Sequence, residues 1–238
     1  MKLDLLAIAA HPDDVELTCG GTLIKMAQQG YKVGILDLTE GEMGTRGTPE
    51  TRRREAAAAA RILGVHLREN LGLPDARLAV SEEHKLAVAR KIRALRPHTV
   101  ILPYWEGRHP DHYNASRMAY EGCFLAGLKR LPLDGEAFRP FKVLYSTVYY
   151  PVRPTFVVDI TAQFERRRRA ILAYTSQFKP PKAARRSRVY LPLDRLEQEV
   201  HLIARYYGEM TGVQYAEPFL VREVMQVDDV VKLPVRSI

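Results

Sequence analysis

Over the first two thirds of the chain, short apolar runs alternate with segments of helical periodicity, and this alternation most constrains what the chain can fold into. Leu3–Ala10, Lys32–Leu38 and Thr99–Pro103 are runs of strand length with few polar interruptions. Strands of that kind are buried on both faces, which requires a parallel sheet with helices packed above and below it. The helical segments fall between them. Thr22–Gln29 stops at Gly30, Pro49–Leu63 at Gly64, and Glu82–Leu95 before Pro97, while His112–Leu128 follows the third run. Glycine just past the last periodic residue and proline shortly beyond are the usual helix stops.

Past residue 130 the pattern changes. Val143–Tyr150 and Phe156–Ile160 are extended segments separated by prolines and are expected to lengthen the sheet at its edge. Glu165–Phe178 and Leu193–Met210 read as helices, 179–187 as a loop, and the tail from Phe219 carries weak signals. The expected fold class is α/β, a Rossmann-like open, mostly parallel sheet with helices on both faces and extra edge strands towards the C-terminus. One domain is expected over residues 1–238: a core at 1–130, then edge strands, a basic segment and C-terminal helices at 131–238.

Thirty-six Lys and Arg against 28 Asp and Glu give a formal net charge of +8, which invites a polyanion as partner. Residues 161–190 carry that whole surplus and leave the rest of the chain formally neutral. The sequence has no helix-turn-helix, zinc-finger or RNA-binding signature and no aromatics among the arginines, so binding of nucleic acid through 161–190 is not expected. Four consecutive arginines on a helix, Arg166–Arg169, point to all sides, so one or two must turn inward or towards a partner while the others are solvated. Cys19 and Cys123 form no disulfide framework and suit a reducing compartment. The apolar run Leu5–Ala10 is too short for a signal-peptide core or a membrane span, so the expectation is a cytoplasmic protein with no membrane partner.

The chemistry gathers at two strand ends. The first run leads into His11-Pro12-Asp13-Asp14-Val15-Glu16, and the TVIL strand leads into Arg108-His109-Pro110-Asp111-His112. In an open α/β sheet, ligands bind in the crevice beyond the strand carboxyl ends. Three protein ligands with one open position are what a catalytic zinc requires, and His11, Asp14 and His112 make such a set. Asp13 and His109 are left over, one to take a proton from the attacking water, the other to stabilise an oxyanion. A histidine or an Asp pair at a helix start is ordinarily a cap. Capping explains neither both histidines nor both prolines. No GxGxxG loop follows the first strand, which argues against a nucleotide site.

AHPDDVE followed by CGGT, together with RHPDH, resembles the signature of the LmbE-like (PIG-L) family of metal-dependent N-acetyl-sugar deacetylases. GILDLTEGEMGTRGTPETR, NLGLPD at Asn70–Asp75, SQF at Ser176 and GVQYAEPF at Gly212 are similar to the BshB-type branch, which deacetylates N-acetylglucosaminyl malate in bacillithiol biosynthesis. The resemblance covers about Leu3–Phe219. It implies an amidohydrolase with one zinc ion per subunit on His11, Asp14 and His112. In that pattern Asp13 is the general base, His109 assists at the carbonyl or leaving group, and Asp111 holds a histidine ring from behind. Iron or cobalt can occupy the same donors. Relatives commonly form homo-oligomers.

Substrate recognition is read from chemistry. A malate conjugate carries two carboxylates, which guanidinium matches with paired hydrogen bonds. Arg46, Arg52 and Arg108 are the candidates, while Arg53 and Arg54 read as a solvated helix face. Glu42 and Met43 lie where they can line a sugar pocket, and Tyr190 is a candidate lid hydroxyl. The alternative substrates are other N-acetylated glycosides: a chitooligosaccharide, or an inositol- or thiol-linked sugar.

Overall fold

The computed structural model describes residues 2–147, 151–178 and 193–235. Seven described strands, β1 (Leu5–Ala9), β2 (Val33–Thr39), β3 (Leu67–Leu73), β4 (Thr99–Pro103), β5 (Lys142–Ser146), β6 (Phe156–Asp159) and β7 (Ala216–Leu220), share one sheet in the order β3-β2-β1-β4-β5-β7-β6. The first five are mutually parallel, and β7 is antiparallel to both β5 and β6. The helices are α1 (Asp14–Thr18), α2 (Gly20–Gln28), α3 (Pro49–Leu63), α4 (Glu82–Leu95), α5 (Pro110–Ala126), α6 (Phe164–Leu172), α7 (Thr175–Phe178) and α8 (Leu193–Glu209). None of the described helices is long and apolar enough to cross a membrane.

Side chains alternate across a strand, so the apolar run of β1 feeds two cores at once. Leu6, Ile8 and Ala10 pack with Val88 and Ile92 of α4 and Met118 and Ala119 of α5. Leu5, Ala7 and Ala9 pack with Leu23 and Ile24 of α2, Ala59 and Leu63 of α3, and Ala170 of α6. This is the expected α/β architecture. Helix α3 has the caps its sequence signals: the Thr48 side chain accepts from the Thr51 N–H, Pro49 opens the first turn, and Gly64 closes it at φ 76°.

The structure departs from the sequence pattern in three ways. β3 escapes an apolar-run criterion because it is an outer strand with Arg68, Glu69 and Asn70 in its middle. β7 is masked by Glu217 and Pro218, and it inserts between β5 and β6, so of the two expected edge strands only β6 lies at the edge. The helix expected over Glu165–Phe178 is interrupted at Ala173–Tyr174, giving α6 and α7.

The arginine run resolves into four environments. Arg169 is exposed, Arg168 pairs with Glu165 and Glu197, and the Arg166 Nε–H donates to the Ile62 carbonyl. Arg167 turns inward and is 3% exposed. It donates to the carbonyls of Glu16 and Leu17, in the last turn of α1, and pairs with Glu217 at 3.1 Å. The Glu217 carboxylate in turn accepts from the N–H groups of Gly21 and Thr22 in the first turn of α2. A cation thus meets one helix's carboxyl end and an anion the next helix's amino end, each where the helix dipole favours it. Gly21 is required at this contact, since a Cβ there would lie 2.8 Å from Ile160 Cδ1 and 2.9 Å from Glu217 Oε1. Gly21→Ala is therefore expected to cost about 1–3 kcal/mol through overpacking, read as a lowered urea midpoint at unchanged slope.

Candidate active site

Five chain segments converge at the carboxyl ends of β1 and β4, where the strand order reverses direction and the sheet leaves a crevice. The turn after β1 brings His11, Asp13 and Asp14. The loop after β4 brings His109, and the first turn of α5 brings Asp111 and His112. The loop after β3 adds Asp75, and α3 adds Arg52.

Asp14 sits between the two outer histidines. One carboxylate oxygen lies 3.3 Å from His11 Nδ1 and the other 3.2 Å from His112 Nε2. Ligand atoms of His11, Asp14 and His112 all fall within 4.8 Å of one another, as do those of His11, His109 and Asp111. The first set is the predicted one. Two imidazoles and a carboxylate with atoms this close fit a divalent ion in a three-ligand site, so the donor chemistry agrees with the expected metal.

Behind this set, His11 is held by two acids. Its Nε2 lies 3.0 Å from Asp75 Oδ1 and 3.4 Å from Asp111 Oδ2, which leaves Nδ1 facing Asp14. Asp111 is fixed by the Ala76 and Leu78 N–H groups, and Asp75 by those of Met43 and Ala76. Burial disfavours charge on His11, but hydrogen bonds to Asp111, Asp14 and Asp75 more than offset it and lift its pKa well above the usual range. Asp75 is buried against charge as well, yet the His11 contact and the backbone donors bring it down to about 2. Asp75 was not among the expected site residues, and Pro-Asp at the end of the NLGLPD stretch is the signal that points to it.

Asp13 occupies a different place. It adopts φ 106°, in the left-handed region that a non-glycine residue enters only at a cost. Arg52, 5% exposed, donates to the Pro12 and Gly41 carbonyls and lies 3.2 Å from Asp13 Oδ2. Burial raises Asp13 to about 7, with Arg52 pulling down and neighbouring Asp14 pushing up. His109 caps α5: its Nδ1 accepts the Asp111 N–H, so a neutral ring carries its proton on Nε2. Burial, then the neighbouring His112 and His11, lower its pKa.

The substrate candidates separate. Arg108 is exposed at the lip of a cavity of about 450 Å³ that Asp14, His109 and His112 also line. Arg46 is half-buried, and its carbonyl accepts from Gln177 Nε2. Arg52 lies inside the protein with two of its nitrogens committed to the chain, so its geometry is that of a support for Asp13 rather than an open carboxylate receptor. Glu42 Oε1 accepts the Asp75 N–H, and Met43 is 63% exposed. Tyr190 lies outside the described residues.

The PIG-L family model, described as GlcNAc-PI de-N-acetylase, matches residues 6–123. The diacetylchitobiose deacetylase of Thermococcus kodakarensis is 32% identical over 226 residues, covering 90% of this chain and 80% of that protein. Among solved structures, the conserved protein TT1542 of Thermus thermophilus superposes with a TM-score of 0.86 at 44% identity, covering 95% of this chain and 98% of that one. The N,N'-diacetylchitobiose deacetylase of Pyrococcus horikoshii superposes at 0.79 with 28% identity, covering 91% and 82%. The chain thus belongs to the PIG-L family of de-N-acetylases.

Proposed function

We propose that the chain is a divalent-metal-dependent hydrolase that removes the acetyl group from an N-acetylglucosamine conjugate, with N-acetyl-α-D-glucosaminyl L-malate as substrate and zinc as metal. The observation that carries this reading is the convergence of His11, Asp14 and His112 within 4.8 Å, with Asp13 beside them on its own support. A divalent ion on those three residues supplies Lewis acidity, which acidifies water and polarises an amide carbonyl. Asp13 takes the proton of the attacking water, and Arg52 keeps its carboxylate aimed. His109 offers its Nε2–H to the carbonyl oxygen as negative charge develops there. As the amide C–N bond breaks, the proton held by Asp13 passes to the leaving nitrogen, and acetate and the amino sugar leave. Arg108 at the cavity lip, with Arg46, is suited to the malate carboxylates.

A second reading keeps the reaction and changes the conjugate. The Thermococcus kodakarensis relative, a diacetylchitobiose deacetylase matched over 90% of this chain, favours chitobiose. Acetate release from the malate conjugate, from diacetylchitobiose and from free N-acetylglucosamine, with and without prior chelation, separates the two. The malate conjugate is expected to give the highest kcat/KM, and equal rates on all three substrates remove the malate assignment.

Two variants divide the site's labour. Asp13→Ala is expected to fold and bind zinc while losing on the order of 10²- to 10⁴-fold in kcat, the usual worth of a positioned base, whereas His112→Ala loses the metal itself. Metal content by mass spectrometry beside turnover checks both, and an active Asp13→Ala enzyme would contradict the base assignment. Asp75→Asn is expected to weaken zinc binding about 10- to 100-fold, as loss of a ligand's outer partner does, measured by competition with a chelating dye.

A further inference from the structure

The loop between β4 and α5 carries two side chains of the site, Arg108 and His109, and every residue from Tyr104 to His109 except Trp105 lines the cavity. Trp105 turns the other way. Its indole packs against the core shared by α4 and α5 and meets Tyr145 edge-on, with ring centres 4.8 Å apart. Over the same ring stands Arg222, just past the end of β7. Its guanidinium lies 4.6 Å from the centre of Trp105, 4.8 Å from that of Tyr145 and 5.2 Å from that of Tyr120, all within the range at which a cation is attracted to an aromatic face.

Resting on the amidohydrolase reading of the crevice, we propose that Arg222 is a positioning residue for that reaction, holding the β4–α5 loop through Trp105 so that Arg108 and His109 face the substrate. Two of the three rings stand on elements the fold already fixes. Tyr145 is fully buried in β5, paired in register with Leu220 of β7, and Tyr120 belongs to α5, whose first turn brings Asp111 and His112. Trp105 is the one on a loop. A cation shared by all three therefore staples the loop to the sheet on one side and to the helix on the other. The backbone fixes the ends of the same loop, where the Tyr104 N–H donates to the Ser146 carbonyl and His109 caps α5. The guanidinium also brings positive charge to the buried Tyr145 hydroxyl, which has no hydrogen-bond partner among the described residues. A displacement of about 1 Å at a reacting group can cost on the order of 100-fold in rate, so a tie outside the crevice governs chemistry inside it.

The test compares the zinc-loaded full chain with its Arg222→Ala and Arg222→Lys variants, each assayed on whichever of the three substrates above gives the highest kcat/KM. His11, Asp14 and His112 lie off the loop, so Arg222→Ala is expected to keep its zinc and its circular dichroism while kcat/KM falls about tenfold, within what such a tie supplies. Arg222→Lys, which keeps the charge without the planar fork, is expected to recover part of the loss. A second readout needs no turnover. Trp105 is the chain's one tryptophan, so the fluorescence anisotropy of the substrate-free protein reports the loop directly, and it is expected to drop in Arg222→Ala. Tyr120→Leu removes the ring on α5 and is expected to cause a smaller loss in the same direction, which covers the case of an Arg222→Ala chain that does not fold. In a folded pair, the double variant is expected to be no slower than Arg222→Ala alone. A kcat/KM within twofold of the unaltered chain's, unchanged anisotropy, or a loss that tracks zinc content overturns the positioning role and leaves the deacetylase reading standing. Absence of turnover by the unaltered chain on all three substrates defeats that reading, and this role with it.

Discussion

A five-residue helix cannot hold itself in place, and α1 carries Asp14 in its first turn. Everything at the site depends on how the rest of the fold clamps that helix. Glu16, fully buried, meets Arg68 of β3 at 2.6 Å, and Arg68 also pairs with Asp37 of β2. Tyr174 adds a hydroxyl donor to Glu16. From the other end, Arg167 takes the α1 carbonyls and Leu17 packs with Phe164 and Ile171 of α6 and Leu196 of α8. Ion pairs this deep gain little net stability over apolar replacements, whereas removing one partner costs about 3–5 kcal/mol. Their value here is positional: they fix the helix between neighbours on both sides of β1.

The same logic runs through the acids and bases at the crevice. Two of the groups that could do chemistry, His11 and Asp13, are backed by side chains tied to the backbone. Asp75 and Asp111 stand behind His11, each tied to backbone N–H groups, and Arg52 stands behind Asp13, tied to two carbonyls. Preorganised dipoles of this kind avoid reorganisation when charge develops during reaction. The strained backbone at Asp13 belongs to the same scheme, since Arg52 grips both the preceding carbonyl and the Asp13 side chain.

The sheet class, the bounds of α3, α4 and β4, and the meeting of His11, Asp14 and His112 at one crevice are legible in the sequence because their signals are local: a run of β-branched residues, a cap, a histidine beside an acid. Groups whose meaning is set at long range are not. Asp37 is a lone acid in an otherwise apolar strand, intelligible only beside Arg68 thirty-one positions on. Glu217 looks like a strand breaker until it is found at two helix N–H groups. Arg167 was one of four equivalent arginines until α6 fixed which of them faces α1. The basic surplus at 161–190 likewise contains at least one residue that is internal architecture rather than a surface for partners.

The insertion of β7 between β5 and β6 bears on the order in which the molecule can become competent. The titratable side chains of the crevice are supplied within the first 112 residues, yet the carboxylate that completes the α1–α2 junction arrives at Glu217, 196 positions after Gly21. Closure of so long a loop is entropically slow. A chain emerging from the ribosome therefore carries His11, Asp14 and His112 well before Glu217 can fix α1 against α2, and β7 acts as the latch that turns a collection of side chains into a fixed constellation.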